Sequence, residues 1–453
     1  MELLHTLFYF TVAIVLLVAV HEFGHFWVAR RMGIKVLRFS IGFGKVLWTY
    51  QKNPDSTQYA FSAIPLGGYV KMLDEREGMV KPEELPFAFN RQSVAARAAV
   101  VAAGPLFNLF LAVLLYWAIF MLGETGMKPI IGVVAKESLA YQAGFTEGET
   151  IVAVNDKATP TWSLVMEEVF TTALDGTEQI KITVADDRFV ERNHLLVIPE
   201  NLVQQPEVLY QNLGLKPWMP VLKPVIDKIL PNSAAEKAGL KSQDFIQTAD
   251  GIVINDWQQW VDYVQKRPNI AIQIVVKRAG HPVALTITPQ SGSSDNKVLG
   301  KIGAGVYVSE ALINSLRVTY SLPAGQAFVA AVEKTYYYCT TSVRMMGKML
   351  IGHASTDNLS GPISIAQYAG QSAEMGFVPF FKFLALISVS LGILNLFPIP
   401  VLDGGHLLFF AIEAIKGSPV SEKSQLIFQN IGIFLLLSLM LLAVSLDIGR
   451  LFH

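Results

Sequence analysis

Cysteine is almost absent from this sequence, and charged residues are sparse. A single cysteine, Cys339, in 453 residues excludes an internal disulfide framework and a cysteine-based zinc site, and it is most simply interpreted as an ordinary packed thiol. Only 16% of the residues are charged and the formal net charge is -1, so nothing favours nucleic acid or another strongly charged partner. Any function that depends on charge must therefore be local.

Apolar residues are abundant instead. They make up 52% of the chain, and the mean hydropathy of +0.40 indicates an integral-membrane protein embedded in a lipid bilayer. Four stretches are long and apolar enough to cross roughly 30 Å of hydrocarbon. They are residues 7–29, 98–122, 383–402 and 426–446, and the last three contain no charged residue.

Basic residues predict the orientation of these spans. They outnumber acidic residues in the loop 30–97, so the positive-inside rule places that loop in the cytoplasm. Both termini and the segment 125–375 then lie on the outer side, which in a bacterium is the periplasm, with the protein in the inner membrane. The first stretch lacks a cationic start and a small-residue cleavage site, so we interpret it as an uncleaved anchor.

The segment between the second and third stretches contains an internal repeat. A shift of 95 positions aligns Ser138 with Ser233 and Trp162 with Trp257 without a gap. Each copy combines a short helix ending at Ala-Gly, a strand, a two-residue Asn-Asp or Asp-Gly turn and a helix that begins at tryptophan. This pattern resembles PDZ domains, which implies two α+β PDZ-like domains in 127–220 and 221–310. They would either bind an extended peptide at a sheet edge or act as a spacer that controls access.

The first apolar stretch contains His21-Glu22-Phe23-Gly24-His25, which matches the pattern H-E-x-x-H. On a helix, the two imidazoles project from one face and can hold a zinc ion, and Glu22 next to the first ligand can act as a general base. Ionisable groups in an apolar run cost at least about 2.5 kcal/mol each unless they are paired or coordinated. This cost favours a functional role over side chains that merely reach toward water at the interface.

Two histidines leave a catalytic zinc ion short of one protein ligand. The best donor is Asp403, the carboxylate at the end of the third apolar stretch, near the same side of the membrane. His406 is a rival ligand, and a helix-capping role for Asp403 is the alternative that needs no metal. Pro398 and Pro400 interrupt the preceding helix, and irregular backbone at membrane depth requires contact with protein or a wet cavity.

Substrate contacts are predicted in the loop after the first span and in the second and third apolar stretches. Residues 36–73 contain β-leaning runs separated by glycines, which predicts a small membrane-dipping sheet whose edge pairs with an unwound substrate; a hairpin without substrate contact is the alternative. Amides buried in apolar spans need a partner, which can be the substrate backbone, a neighbouring helix or a metal-bound group. The predicted substrate-binding residues are Gly42, Gly44, Gly67, Gly68, Asn108, Asn395 and Pro398.

The remaining segment, 334–350, is aromatic and apolar on one side with basic residues interspersed, as in a helix lying in the outer interface. This helix would either brace the structure or control access beside 358–362. The predicted fold class is a polytopic α-helical membrane protein with four transmembrane helices, a membrane-associated β-sheet region and two PDZ-like domains. Besides those two domains, the predicted regions are a first transmembrane helix (1–30), a β region (31–95), a second transmembrane helix (96–123), an interfacial segment (315–375), a third transmembrane region (377–415) and a fourth transmembrane helix (425–448).

Three motifs in successive spans resemble the site-2 protease family of intramembrane metalloproteases: H-E-F-G-H, G-P-x-x-N from residue 104, and N-x-x-P-x-P-x-L-D-G-G from residue 395. The resemblance covers essentially the whole chain. It implies that His21, His25 and Asp403 bind Zn²⁺ and that Glu22 is the catalytic acid/base. It also implies single-pass membrane substrates, which would be an anti-sigma factor already trimmed by a first protease or leftover signal peptides. The PDZ pair would exclude ectodomains that have not been trimmed.

Two other classes of function are compatible with parts of the sequence. One is a PDZ scaffold on an inactive anchor, which bound zinc would argue against. The other is a proton- or metal-coupled transporter, although four spans without an inverted repeat are a poor basis for alternating access.

Overall fold

The computed structural model describes residues 2–174, 176–199, 202, 206–294, 297–350 and 361–451. Helices and strands are numbered along the chain within these residues. The helices are α1 (Glu2–Arg31), α2 (Val94–Leu122), α3 (Leu139–Gln142), α4 (Trp162–Leu174), α5 (Pro206–Leu213), α6 (Ala234–Lys237), α7 (Trp257–Gln265), α8 (Glu310–Leu316), α9 (Ala324–Leu350), α10 (Pro362–Glu374), α11 (Phe377–Leu396), α12 (Asp403–Lys416) and α13 (Glu422–Leu451).

The strands form several small sheets. They are β1 (Val36–Tyr50), β2 (Gln58–Met72), β3 (Glu124–Met127), β4 (Thr150–Val154), β5 (Lys157–Ala158), β6 (Gln179–Ala185), β7 (Glu191–Val197), β8 (Ile226–Ile229), β9 (Phe245–Ala249), β10 (Ile252–Val253), β11 (Ile272–Arg278), β12 (His281–Ile287), β13 (Gln290–Ser294), β14 (Lys297–Lys301), β15 (Ala304–Val306) and β16 (Arg317–Tyr320). Two 3-10 helices, Pro82–Phe87 and Phe89–Arg91, lie between β2 and α2.

Within the described residues, four helices are long and apolar enough to span a membrane, namely α1, α2, α11 and α13, which agrees with the predicted number of spans. The predicted end of the third span at residue 402 is wrong, because α11 ends at Leu396. Phe397 is extended (φ -65°, ψ 144°), the conformation that a residue just before a proline prefers. After Pro398 and Pro400 the chain enters a separate helix, α12, so the prolines interrupt the helix as predicted.

The four spanning helices belong to one unit, residues Met1–Glu124 and Tyr320–His453, in which α2 packs against α1, α9, α11 and α12. α1 and α2 approach closely at Gly24, where a Cβ atom would lie 2.5 Å from the carbonyl oxygen of Ala103. On another face of α2, the hydroxyl of Ser388 in α11 donates to the backbone carbonyl of Asn108 at 2.7 Å. α2 thereby holds the first and third spans in fixed positions.

A buried ion pair joins α2 to α12. The guanidinium of Arg97 donates to both carboxylate oxygens of Glu413, at 2.7 and 3.2 Å, and the two side chains are only 11% and 14% exposed. The third donor, Nε of Arg97, bonds the carbonyl of Gln92 at 3.1 Å, and the guanidinium lies 4.9 Å from the ring of Phe410. A paired charge satisfied in this way fixes the angle at which α12 meets α2.

The β region between the first two spans consists of two long strands with irregular register. Residues 38–41 of β1 have partners on two sides, in 58–61 and 68–71 of β2, while 46–50 pairs with 59–62. The predicted separate runs are thus continuous strands that bend at Gly42 (φ +90°) and Gly44 (φ +82°).

The second unit, Thr125–Thr319, contains the repeated modules. Each has a four-stranded sheet, in the order β5-β4-β6-β7 or β10-β9-β11-β12, and each has its own buried apolar core. The predicted two-residue turns are present, because Asn155, Asp156, Asp250 and Gly251 all have positive φ. This is the turn that the right-handed twist of a hairpin favours.

The two modules also share their helix caps and their buried carboxylates. Ser138 and Ser233, which the repeat aligned, each cap a one-turn helix by accepting a backbone N–H at 3.2 Å. Asp244 is fully buried and binds two nitrogens of Arg278, at 2.7 and 2.8 Å. The aligned residue Glu149 instead lies 3.5 Å from His194. The repeat in the sequence therefore corresponds to a repeat in structure, with different partners for the acid.

The segment predicted to lie in the interface forms α9, which begins at Ala324, ten residues before the predicted start, and packs against α2 in the membrane-spanning unit. The predicted access segment 358–362 lies largely outside the described residues. α10 begins just after it, and its first N–H groups are capped by Asp447 of α13, which is 2.9 Å from the N–H of Ile363 and 3.1 Å from that of Ser364.

Candidate metal and catalytic site

Three predicted ligand residues meet inside the membrane-spanning unit. His21 and His25 lie one turn apart on α1, and Asp403 is the first residue of α12. Oδ2 of Asp403 is 3.2 Å from Nε2 of His21 and 3.5 Å from Nε2 of His25, and the two Nε2 atoms are 3.2 Å apart. Ligand atoms bound tetrahedrally to zinc at about 2.0–2.1 Å are about 3.3 Å from one another. The three atoms therefore have the spacing of one face of a tetrahedral zinc site.

The orientation of His25 suits a ligand through Nε2. This side chain is buried, and its Nδ1 lies 2.8 Å from the carbonyl oxygen of Val100 in α2. A carbonyl only accepts hydrogen bonds, so Nδ1 carries the proton and Nε2 carries the lone pair. A backbone acceptor on the far nitrogen is a common way to orient a metal-binding histidine.

The partner of His21 is Asn108, which is 1% exposed. Its side-chain nitrogen lies 3.2 Å from Nδ1 of His21, while its amide oxygen is buried without a hydrogen-bond partner among the described atoms. In the amide orientation rotated by 180°, the oxygen takes this place as the acceptor for Nδ1–H, and the NH2 group takes the place of the oxygen. Nε2 of His21 then carries the lone pair that a metal ligand needs. The contact between Asn108 and Nδ1 is therefore compatible with His21 as a ligand through Nε2.

Glycines create the space that the site requires. A Cβ atom at Gly104 would collide with the ring of His25 and would lie 2.9 Å from Cε1 of His21. At the start of α12, a Cβ at Gly404 or Gly405 would collide with the carbonyls of the turn that follows α11. Since these approaches exclude any side chain, α2 can cover the imidazoles and Asp403 can reach them. The residues present fit a zinc ion.

Glu22 and the three candidate ligand residues line one cavity of about 650 Å³. β2 forms a wall of this cavity, and a Cβ atom at Gly68 would lie 2.9 Å from Cγ of Glu22. Of the predicted substrate-binding residues, the cavity is lined by Gly67, Gly68, Asn108 and Asn395, whereas Gly42, Gly44 and Pro398 are not among its lining residues. His406, the rival ligand, lies one turn beyond Asp403 and is not part of the three-residue cluster.

Some groups that organise this site were not singled out from the sequence. The carbonyl of Val100 carries no side-chain signature, so no motif could have identified it. Arg97 and Glu413 had a weak signal, since each is a charged residue at the edge of an apolar segment. Their pairing is visible only once α2 and α12 are packed together.

An H-E-x-x-H helix beside a glutamate-lined cavity, with an aspartate completing a three-ligand cluster, is the arrangement of a metalloprotease. The model of peptidase family M50 matches residues 9–439. The chain therefore belongs to this family and is a membrane zinc metalloprotease.

Named relatives agree with this assignment. The chain is 44% identical, over 98% of both chains, to the regulator of sigma-E protease RseP of Escherichia coli K12. It is 43% identical, over 98% of both chains, to a Vibrio cholerae protein named as a zinc metalloprotease. The regulator of sigma E protease of Haemophilus influenzae is 39% identical over the full length of both chains.

Proposed function

We propose that this protein cuts single-pass membrane proteins within or beside their transmembrane segments, with His21, His25 and Asp403 as zinc ligands and Glu22 as the catalytic acid/base. The observation that supports this most directly is the set of donor spacings of 3.2, 3.2 and 3.5 Å beside Glu22 in a membrane-spanning unit. When bound, zinc polarises a scissile carbonyl and lowers the pKa of a neighbouring water toward about 7.

Glu22 moves the protons in this mechanism. Its carboxylate takes a proton from the attacking water and later gives it to the leaving amine. Nδ1 of His25 stays bonded to Val100, and Nδ1 of His21 stays bonded to Asn108, so that neither imidazole rotates out of place during the reaction.

The substrate must be unwound before it can be cut, because a peptide bond within a helix is shielded by its own hydrogen bonds. We assign this step to β2. Its residues 68–71 pair with β1 on one side only, and Gly67 and Gly68 line the cavity. An extended substrate segment can add to the other side as a further strand. Asn395, which also lines the cavity, can bond the substrate backbone groups that unwinding frees.

The names of the relatives support a proposal for the biological substrate class. Two of them are named as regulators of sigma E, so we propose an anti-sigma factor trimmed beforehand by another protease as one substrate, within the sigma-E envelope stress response, and remnant signal peptides as another. The protein would lie in the inner membrane with both termini and the repeated modules in the periplasm and the active site near the cytoplasmic side. The modules, as PDZ-like domains, would exclude untrimmed ectodomains.

The test is co-expression with a tagged single-span substrate. Glu22→Gln should retain its zinc but lose cleavage, and a zinc chelator should stop cleavage by the unchanged protein. Glu374→Gln is a matched control, since this side chain is 62% exposed and does not line the cavity. Equal cleavage by Glu22→Gln would refute the catalytic assignment.

A further inference from the structure

A second, polar groove lies where α1 ends and the chain turns into β1. It encloses about 590 Å³, and three cations line it: Arg30, Lys35 and Lys52. Asp55 is the only carboxylate among its lining residues. The groove shares no lining residue with the cavity that holds Glu22, and the proteolytic mechanism does not use it.

Among the described residues, two of the three cations have no acidic partner. Lys35 donates to Glu84 at 2.7 Å, and this hydrogen bond lowers the pKa of the Glu84 carboxyl, so the two charges neutralise each other at neutral pH. Arg30 lies over the ring of Phe26 at 5.5 Å. Within the part of the chain that the structure describes, neither Arg30 nor Lys52 forms an ion pair. The groove therefore has an excess of positive charge.

Both sides of the groove are held in place. α1 stops directly after its last basic turn, because Gly33 adopts a left-handed conformation (φ +77°) and its N–H bonds the carbonyl of Arg30 at 3.2 Å. Lys52 sits in the turn between β1 and β2. The side chain of Gln51 closes this turn by donating to two of its backbone carbonyls, at 2.8 and 3.0 Å. The cations therefore project from ordered backbone.

The groove is at the level where a membrane meets water. The first spanning helix ends at Arg31, whose guanidinium lies 4.9 Å from the ring of Trp27. Tyr50, Tyr59 and the half-exposed Phe87 line the groove itself. Aromatic rings with polar tips and basic residues at the end of a span are typical of the headgroup region.

We propose that this groove binds the phosphate of an anionic phospholipid headgroup. Arg30 and Lys52 would pair with the phosphodiester, and the hydroxyls of Tyr50 and Tyr59 would donate hydrogen bonds to it. The C-terminus of α1 carries partial negative charge, so the cations are required for an anion to be held there. Because α1 bears Glu22 and β1 supports the wall of the cavity, a bound headgroup would stabilise the junction on which the active site is built.

The experiment uses the full-length, zinc-loaded protein in detergent, titrated calorimetrically with dihexanoyl phosphatidylglycerol, dihexanoyl phosphatidylcholine and inorganic phosphate. The double variant Arg30→Gln/Lys52→Gln should bind phosphatidylglycerol roughly 30-fold more weakly, which corresponds to about 2 kcal/mol for two cations. Arg31→Gln is the control for the Arg30→Gln part of this change, because it removes one positive charge from the same helix end without altering a lining residue.

Measurements of zinc content and thermal unfolding show whether the double variant Arg30→Gln/Lys52→Gln has folded. If it has not, Tyr50→Phe/Tyr59→Phe replaces it and should show a smaller loss of phosphatidylglycerol binding. Tighter binding of phosphatidylglycerol than of phosphatidylcholine, lost in the lining variants and kept in Arg31→Gln, supports the proposal. Equal binding of inorganic phosphate would keep the phosphate chemistry but overturn the lipid as its source. Equal binding of the two lipids, or equal losses in lining and control variants, would overturn the proposal altogether.

Discussion

Replacement of Asn108 tests the structure of the zinc site most directly. Asn108→Leu keeps a buried side chain of similar size but removes the acceptor for Nδ1–H of His21. Loss of such an orienting partner typically weakens metal binding by about 10- to 100-fold, or about 1.4–2.7 kcal/mol. The cost of leaving a buried donor unpaired, about 1–3 kcal/mol, agrees with this range. We therefore expect Asn108→Leu to bind zinc more weakly than the unchanged protein, although none of the proposed zinc ligands has been replaced.

Competition with a chromophoric chelator, on purified protein in detergent, measures this affinity independently of proteolysis. Asn108→Asp provides the decisive comparison, since a carboxylate is also an acceptor and should preserve the affinity that Asn108→Leu loses. Ser388→Ala is the control, because it removes a hydrogen bond to the backbone of Asn108 and leaves its amide in place. If Asn108→Leu bound zinc as tightly as the unchanged protein, the proposed role of the amide oxygen would be refuted.

Three further predictions concern packing and charge. Gly104→Ala should abolish zinc binding in the chelator assay, because its methyl group would collide with the ring of His25, whereas Gly325→Ala, with open space around it, should not. Arg97→Gln should destabilise the membrane-spanning unit by about 3–5 kcal/mol in denaturant unfolding by stranding Glu413, and exchange of the two charges should recover part of the loss. Burial raises the pKa of Asp244, but hydrogen bonds from Arg278 and from the N–H of Lys241 lower it below the usual 3.8. The ionised Asp244 therefore contributes its full share to the free energy of unfolding above the unfolded pKa of 3.8, and this contribution is lost as the pH falls through the lower folded pKa. Tryptophan fluorescence should show acid unfolding of this module, and the unfolding should be less steep in Arg278→Gln.

Local features of the fold were predictable because their signals are short in range. The serine caps at Ser138 and Ser233 and the Asn-Asp and Asp-Gly turns are encoded by residues that bond within a few positions of themselves. The predicted end of the third span was wrong because apolar composition continues past residue 396, whereas the backbone responds to Pro398 and Pro400. An apolar composition shows that a segment is compatible with lipid, but it does not show that the segment is helical throughout.

The candidate site was only partly predictable, because some of its contacts depend on long-range packing. H-E-x-x-H identifies two donors because helical spacing alone brings them together. The meeting of Asp403 with those donors, and of Arg97 with Glu413, depends on how helices pack, which no periodicity in the sequence specifies. The contact between Asn108 and His21 likewise depends on how α1 and α2 pack.

The distribution of the proposed ligand residues along the chain constrains when the enzyme can first become active. His21 and His25 are synthesised and inserted early, whereas Asp403 follows only after both modules and the third span have been made. A nascent chain consequently carries an incomplete centre throughout most of its own translation and membrane insertion. On the proposed assignment, the newly made protease lacks a complete set of zinc ligands, and so cannot cleave its neighbours or itself, until Asp403 has been synthesised.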